Sequence, residues 1–184
     1  LHLRAAEAES RLGHHDRFDT VVAPLAEHAA DGADTIRVLA ERTTHALRQG
    51  DLATAVDIAL TGLAAGTAIA GPWPPGDRAA ALDAALDRCG ELLAGRPAVE
   101  VVAGLAPADD PEVIAVLDLT GRIVDVLGLI DINLFRVICA RVTVTVLEHG
   151  THPAAGLALV GMASALTARR RPPDELEDIA GAGL

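Results

Sequence analysis

Residues 46–60 read ALRQGDLATAVDIAL and predict two helices joined by a tight corner. Gly50 is expected to end the first helix, because glycine enters the left-handed conformation that closes helices at little steric cost. Asp51 is expected to cap the second helix. Ala55 and Ala59 then give that helix a small face against which a neighbouring helix can pack closely. The stretch therefore predicts a helix hairpin.

A similar hairpin is predicted upstream of this one. Helices are expected over Leu3–Leu12 and Asp16–Ala30, with Gly13 at the corner between them, and Asp34 is expected to cap the helix that ends at Gly50. The two glycine corners lie 37 residues apart, close to the period of roughly 34 residues in tetratricopeptide repeats. We therefore interpret residues 1–70 as two repeat-like hairpins.

Composition favours an all-helical chain. Of the 184 residues, 51% are hydrophobic but only 2% are aromatic and none is Tyr, so Ala, Leu and Val must fill the interior. Such small and aliphatic side chains suit closely packed helices better than a sheet sandwich. The predicted fold is all-α: a single domain over residues 1–184, built as a tetratricopeptide-like antiparallel helix-hairpin array that curves into an α-solenoid.

The second part of the chain, residues 78–180, predicts more divergent helices. The proline-rich stretch 71–76 must be a loop that separates them from the hairpins. Asp110-Pro111 is a strong helix start, since an N-cap is followed by proline at the first helical position. The predicted elements are a helix over Arg78–Ala94, a short turn at Val99–Val102, and helices over Asp110–Leu127, Asp131–Glu148, Pro153 to about Arg170, and Glu175–Ala180.

One segment also admits a strand. Valines alternate with threonines from 142 to 146, and alternation is typical of a half-buried strand. The spacing of Leu134, Ile138 and Val142 continues a helical period into this segment, so we expect a helix.

Charge and cysteine usage exclude several classes of partner. A net charge of −11 argues against nucleic acid, which needs a basic surface. Charged side chains interrupt the apolar stretch 113–147, which therefore predicts a buried core and no membrane span.

Cys89 and Cys139 are isolated and are expected to be small buried hydrophobes in a reducing cytoplasm. Because the chain begins at Leu1 inside an apparent helix, we expect a fragment of a longer protein.

Residues from Gly95 to Leu166 carry a resemblance to a known group of proteins. The matching pieces, in order, are Gly95-Arg96-Pro97, Asp109-Asp110-Pro111, Asn133-Leu134-Phe135, Leu147-Glu148-His149-Gly150 and Thr151-His152-Pro153-Ala154-Ala155. In this order and spacing the chain resembles the tetratricopeptide-like helical region of large multidomain bacterial signalling ATPases. Those proteins join a serine/threonine kinase-like or other sensor module, an AAA-type ATPase, this helical region, and a GAF and histidine-kinase or cyclase output.

The resemblance implies a non-enzymatic relay and scaffold segment. Adjacent domains of the same chain, or partner proteins and peptides, would dock on its concave face, and exposed repeat ends would permit a homodimer. No GxxxxGK[ST] loop is present to bind ATP, and no cofactor is expected. Two alternatives stay open: a ligand-sensing helical domain of a transcriptional regulator, and an enzyme with an acid/base site around Glu148, His149 and His152.

Four residues are candidates for an interaction site: Trp73, Arg141, Glu148 and His149. Trp73 is either a partner-binding anchor or, as we favour, the residue that packs its loop onto the neighbouring hairpin. Arg141 and Glu148 either line a groove together or, as we favour, form a buried ion pair. His149 belongs to a helix end, where a partial negative charge favours imidazolium.

Other polar clusters admit both a functional and a structural interpretation. His14-His15-Asp16, with His2 and His28, offers metal-ligand types, but a polar helix corner capped by Asp16 is favoured, and we predict no metal site. Arg169-Arg170-Arg171 could bind phosphate or an acidic surface, but a helix end complementing its dipole is favoured.

Overall fold

The computed structural model describes residues 2–69 and 73–168, and within these ranges the chain forms nine α-helices. Their bounds are α1 His2–Arg11, α2 His15–Glu27, α3 Gly32–Arg48, α4 Leu52–Ala65, α5 Arg78–Leu93, α6 Ala98–Ala103, α7 Pro111–Ile130, α8 Ile132–His149 and α9 Ala155–Ala168. The all-α prediction is confirmed. Residues 142–146 belong to α8, so the helix was the correct choice over the strand.

Aspartate caps define most of the helix starts. Asp51 accepts a hydrogen bond from the Thr54 backbone N–H at 3.0 Å, as predicted, and Gly50 before it has φ of +77°. Asp110 caps α7 and Asp131 caps α8 in the same way, accepting from Glu112 and Leu134 backbone N–H groups. These starts lie where the sequence predicted them.

Two predicted caps are wrong. Asp31, not Asp34, caps α3: its extended backbone lets Oδ1 accept from the Asp34 N–H at 2.8 Å. At the first corner His14 occupies the cap position without a side-chain hydrogen bond, and Asp16 lies inside the first turn of α2. An acidic residue in the first turn still complements the helix dipole, which is why sequence alone does not separate the two positions.

The remaining boundaries differ little from the predictions. The turn predicted at Val99–Val102 is the helix α6, and the last helix begins at Ala155, two residues after Pro153. Arg169–Arg171 and the helix predicted over Glu175–Ala180 lie outside the described residues.

The main core forms where α3, α4, α7 and α8 meet. Helix α7 packs against α3, α4, α8 and α9, and α8 packs against α5, α7 and α9. The largest side chains of this core are almost fully buried, among them Ile36, Leu63, Leu117, Leu119, Ile123 and Ile138. The stretch 113–147, predicted to be buried, supplies most of them.

Small residues bring two pairs of helices into close contact. A Cβ added at Gly161 of α9 would lie 2.3 Å from the Cys139 Sγ and 2.9 Å from the Phe135 Cζ of α8. A Cβ added at Gly62 of α4 would lie 2.6 Å from the Leu119 Cδ2 of α7. Both glycines therefore sit where no larger residue fits without displacement.

In the part of the chain that the structure describes, the hairpin of α1 and α2 contributes no residue to the main core cluster. It packs on α3 through a separate apolar cluster made by Ala6, Phe18, Val22 and Val38. This small cluster buries much less apolar surface than the main core, so the hairpin depends more heavily on the polar contacts beside it.

Within the described ranges, none of the helices has both the length and the apolar character required to cross a bilayer.

Candidate functional site

A surface groove lies between α5 and α8. Helix α5 lines it with Ala81, Ala84, Ala85 and Arg88, and α8 lines it with Arg141, Val144, Thr145 and Glu148. Each set follows the spacing i, i+3, i+4, i+7, so each helix presents one face to the groove. The groove has a volume of about 270 Å³ and opens to solvent.

Alanines make the groove. Side chains at 81, 84 and 85 extend only one carbon from the α5 backbone, so they leave space in front of Val144 that larger residues would occupy. Beneath this surface, Ala85 and Val144 continue into a buried cluster with Leu86, Cys89 and Met162. The wall of the groove is therefore an extension of a packed core and is held rigidly.

An ion pair joins the two helices at the rim. Arg88 donates from Nε and Nη2 to Glu148 Oε1 at 2.9 and 2.7 Å, and from Nη1 to Glu91 Oε2 at 3.0 Å. The hydrogen bonds to Glu148 and then to Glu91 raise the pKa of Arg88. Glu148 is exposed and pairs with Arg88, so the arrangement that places Arg141 and Glu148 along one groove fits the structure better than a buried pair between them.

Arg141 lies against an aromatic ring. Its guanidinium carbon lies 4.6 Å from the centroid of the Trp73 ring, and Trp73 itself is only 8% exposed. Burial lowers the pKa of Arg141. Trp73 joins the main core and so packs its loop down. The structure thus brings Arg141 and Glu148 into one groove and places Trp73 behind Arg141.

His149 and His152 flank a tight corner. Gly150 has φ of +115°, and a Cβ there would lie 2.5 Å from the Ala106 carbonyl oxygen, so only glycine fits. The chain is pinned at this point because Thr151 N–H donates to Ala106 O at 2.9 Å and Ala108 N–H donates to Thr151 O at 3.0 Å. His149 is the exposed last residue of α8.

Two of the three residues considered as an acid/base site, Glu148 and His152, are committed to different partners. His152 Nδ1 accepts from the Ala154 N–H at 3.2 Å, which assigns the ring proton to Nε2, 3.3 Å from Asp118 Oδ1 of α7. Glu148 turns to Arg88 of α5 instead. The contacts of His152 and Glu148 therefore anchor the loop and the helix rather than converge on one point.

The histidines at the first corner do not gather around one point either. His14 pairs with Glu9 at 2.7 Å, His28 Nδ1 lies 2.8 Å from the Pro24 carbonyl, and His15 contacts His45 of α3. Among the described residues, no group of three or more His, Cys, Asp or Glu side chains is placed to hold a metal ion.

Both cysteines are buried thiols. Burial raises the pKa of Cys89 and of Cys139 to about 12, so each is protonated at neutral pH. Cys89 Sγ lies 3.5 Å from the Met162 sulfur, inside the cluster behind the groove. The prediction that both act as small buried hydrophobes is confirmed.

The α5 side of the groove was not predicted from the sequence. The i, i+3, i+4 spacing of Ala81, Ala84 and Ala85 was visible, but alanine is common on both buried and exposed helix faces and does not mark a site. Arg88 was equally ambiguous because its partner is 60 residues away.

Comparisons of the chain with protein-family models, with curated proteins and with solved structures found no match.

Proposed function

We propose that this chain is a non-catalytic protein-interaction and signal-relay segment of a multidomain ATPase- or kinase-type regulator in the cytoplasm. The groove between α5 and α8 is its docking site, and the occupant is a helix from an adjacent domain or a partner protein. The observation that carries the proposal is the combination of an alanine wall with a charged rim on a rigid support.

The shape of the groove favours a helix as occupant. Two helices that each present one face form a channel, and an amphipathic helix can lay its apolar side chains into such a channel at the spacing i, i+3, i+4. The chain packs its own helices through small residues at Gly161 and Gly62, so close helix approach is already the way this fold builds contacts. The apolar side chains of a third helix would pack against Ala81, Ala84 and Ala85.

Charge favours a basic partner. The chain carries a net charge of −11, so long-range attraction steers cationic segments toward it and raises the association rate. At the rim, Arg88 uses one carboxylate oxygen of Glu91 and one of Glu148, and the other oxygen of each would accept from a lysine or arginine beside the apolar face of the incoming helix. We therefore assign the occupant as a basic amphipathic helix.

The side chains at the groove support binding rather than chemistry. Arg88 and Glu148 hold each other, and His152 uses both ring nitrogens in local contacts. A catalytic acid or base needs a free position for a substrate proton. We expect the purified chain to hydrolyse no nucleotide, and turnover that copurifies through several columns would contradict this proposal.

We also propose that the helix hairpins of this chain form a tetratricopeptide-like array. The hairpins α1–α2 and α3–α4 turn at Gly13 and Gly50, which have similar φ of +72° and +77°. Their equivalence is what a tetratricopeptide-like array requires. Adjacent domains would then continue the array by packing on its apolar ends. Alternatively, the same ends would join two copies of the chain.

A ligand-sensing domain of a transcriptional regulator is the second candidate, because the groove is largely apolar. Its volume of about 270 Å³ falls just below the range of roughly 300–1,000 Å³ that is usual for small-molecule sites. It also opens to solvent instead of enclosing its contents. A protein segment therefore fits the groove better than a buried small ligand.

Ala84→Arg is expected to weaken peptide binding at the groove. Helical peptides of random sequence, selected on the 184-residue chain by phage display, should bind with micromolar Kd and weaken at least about tenfold on Ala84→Arg. The arginine would fill the channel, and because Ala84 is exposed the fold should tolerate it. Titration calorimetry measures the loss.

Ala79→Arg is the matched control. It adds the same side chain to an exposed alanine of the same helix outside the groove, so binding should be unchanged. Selected peptides that bind both variants as tightly as the unaltered chain would place the interaction surface elsewhere. Selection of peptides without basic residues would remove the charge argument.

A further inference from the structure

A polar cluster lies where α1, α2 and α3 meet, away from the groove. His45 of α3 is only 6% exposed. Its Nδ1 lies 3.0 Å from the Ser10 Oγ of α1, and its Nε2 lies 3.2 Å from the His15 Nδ1 of α2. One imidazole thus links all three helices.

The ring of His45 is held on each side. It stacks on Phe18 of α2 with centroids 3.8 Å apart and planes 8° from parallel. The Gln49 amide nitrogen lies 3.1 Å from His45 Nε2 and 3.0 Å from His15 Nδ1, and Arg48 donates to Ser10 Oγ at 2.8 Å. The titratable and charged groups facing His45 are His15 and Asp19 from α2 and Arg48 from α3, while α1 contributes the uncharged Ser10.

Two facing imidazole nitrogens can share only one proton. With both rings neutral, either both facing nitrogens accept from the two N–H bonds of the Gln49 amide or one of them donates to the other across the 3.2 Å contact. When both rings are protonated, both nitrogens are donors and both rings are positive. The contact between α2 and α3 then becomes repulsive, with Arg48 adding a third positive charge close by.

We propose that this histidine pair is a pH-sensitive joint, and that acidification weakens the docking of the α1–α2 hairpin on α3 while the main core stays folded. Release exposes the small apolar cluster that contains Phe18, Val22 and Val38. The hairpin can leave by itself because this cluster is separate from the main core.

The direction of the pH effect follows from the surroundings of His45. Burial, then the charges of His15 and Arg48, lower the pKa of His45 below its ordinary value of 6.5, and Asp19 opposes them. The released state therefore binds a proton more readily than the docked state. Docking is fully stabilised above pH 6.5 and is lost as the pH falls through the lowered pKa, with each unit of lowering worth a tenfold change in the docking equilibrium.

Amide hydrogen exchange of the 184-residue chain at pH 7.5 and pH 5.5 tests the joint. Protection factors, which correct for the intrinsic pH dependence of exchange, should fall in α1 and α2 at the lower pH, by at most about tenfold, while those in α7 and α8 stay constant. His45→Gln, which keeps a polar group facing Ser10 but cannot titrate in this range, should remove the change. His28→Gln, a histidine of the same hairpin away from the joint, should retain it.

Equal protection at both pH values, or an unchanged loss in His45→Gln, would overturn the proposal. If His45→Gln loosens the hairpin at every pH, His15→Gln decides, because it keeps His45 and removes its like-charged neighbour. The pH-dependent loss should then shrink, and a loss of undiminished size would exclude the pair as the sensor.

Discussion

Gly161→Leu is expected to lower the free energy of unfolding by about 3 kcal/mol, toward the upper end of the cost of overpacking a core. Even the first added carbon would lie 2.3 Å from the Cys139 Sγ, and Cys139 is fully buried. Helices α8 and α9 would have to separate along their contact. Urea unfolding followed by circular dichroism measures the loss.

Gly90→Leu is the matched control for this prediction. Gly90 is an exposed helical glycine of α5, and a Cβ there meets no atom within 4 Å. Replacing a helical glycine by leucine should stabilise the chain by about 0.5–1 kcal/mol through helix propensity alone. Equal destabilisation by the two substitutions would contradict the packing described for α8 and α9.

Leu119→Ala is expected to cost about 2–5 kcal/mol, the range for removing a large aliphatic side chain from a rigid core. Leu119 is fully buried in α7 and contacts α4 at Gly62. The cavity would open at the junction of α4 and α7, inside the main core. Chemical denaturation again gives the change in stability.

A surface leucine of the same helix provides the comparison. Leu129 is 84% exposed, so Leu129→Ala should change stability by no more than about 0.5 kcal/mol. A second check uses Gly62→Ala, whose added Cβ would lie 2.6 Å from the Leu119 Cδ2. This substitution should be harmful alone and much less harmful in the Leu119→Ala background, because the clashing atom is gone. Additive effects would show that the two residues do not touch.

Local signals predicted the helices well. Asp110-Pro111, Asp131 and the Gly50-Asp51 corner all act through groups within four residues, so their chemistry can be recognised in the sequence. The same is true of Gly150, where the end of α8 was expected. Where two acidic residues compete for one cap, as Asp31 and Asp34 do, the choice depends on backbone geometry that the sequence does not reveal.

Contacts between distant residues could not be predicted in this way. Arg88 meets Glu148 across 60 residues, and His45 meets His15 across 30. Many pairings of charges and imidazoles satisfy the same composition, and only the packing of the helices selects among them. The groove was not predicted for the same reason. The alanines of α5 line a groove only because α8 packs beside them.

We propose that the α5/α8 groove receives a basic amphipathic helix, and methyl NMR of the 184-residue chain tests this proposal. Alanine, leucine, isoleucine and valine methyl groups would be labelled and followed while the tightest selected helical peptide is added. We expect shifts concentrated at the groove residues and none at Leu129 and Ile130; the groove residues are Ala81, Ala84, Ala85 and Val144. Shifts concentrated at the exposed Leu129–Ile130 corner, with the groove alanines unchanged, would contradict it.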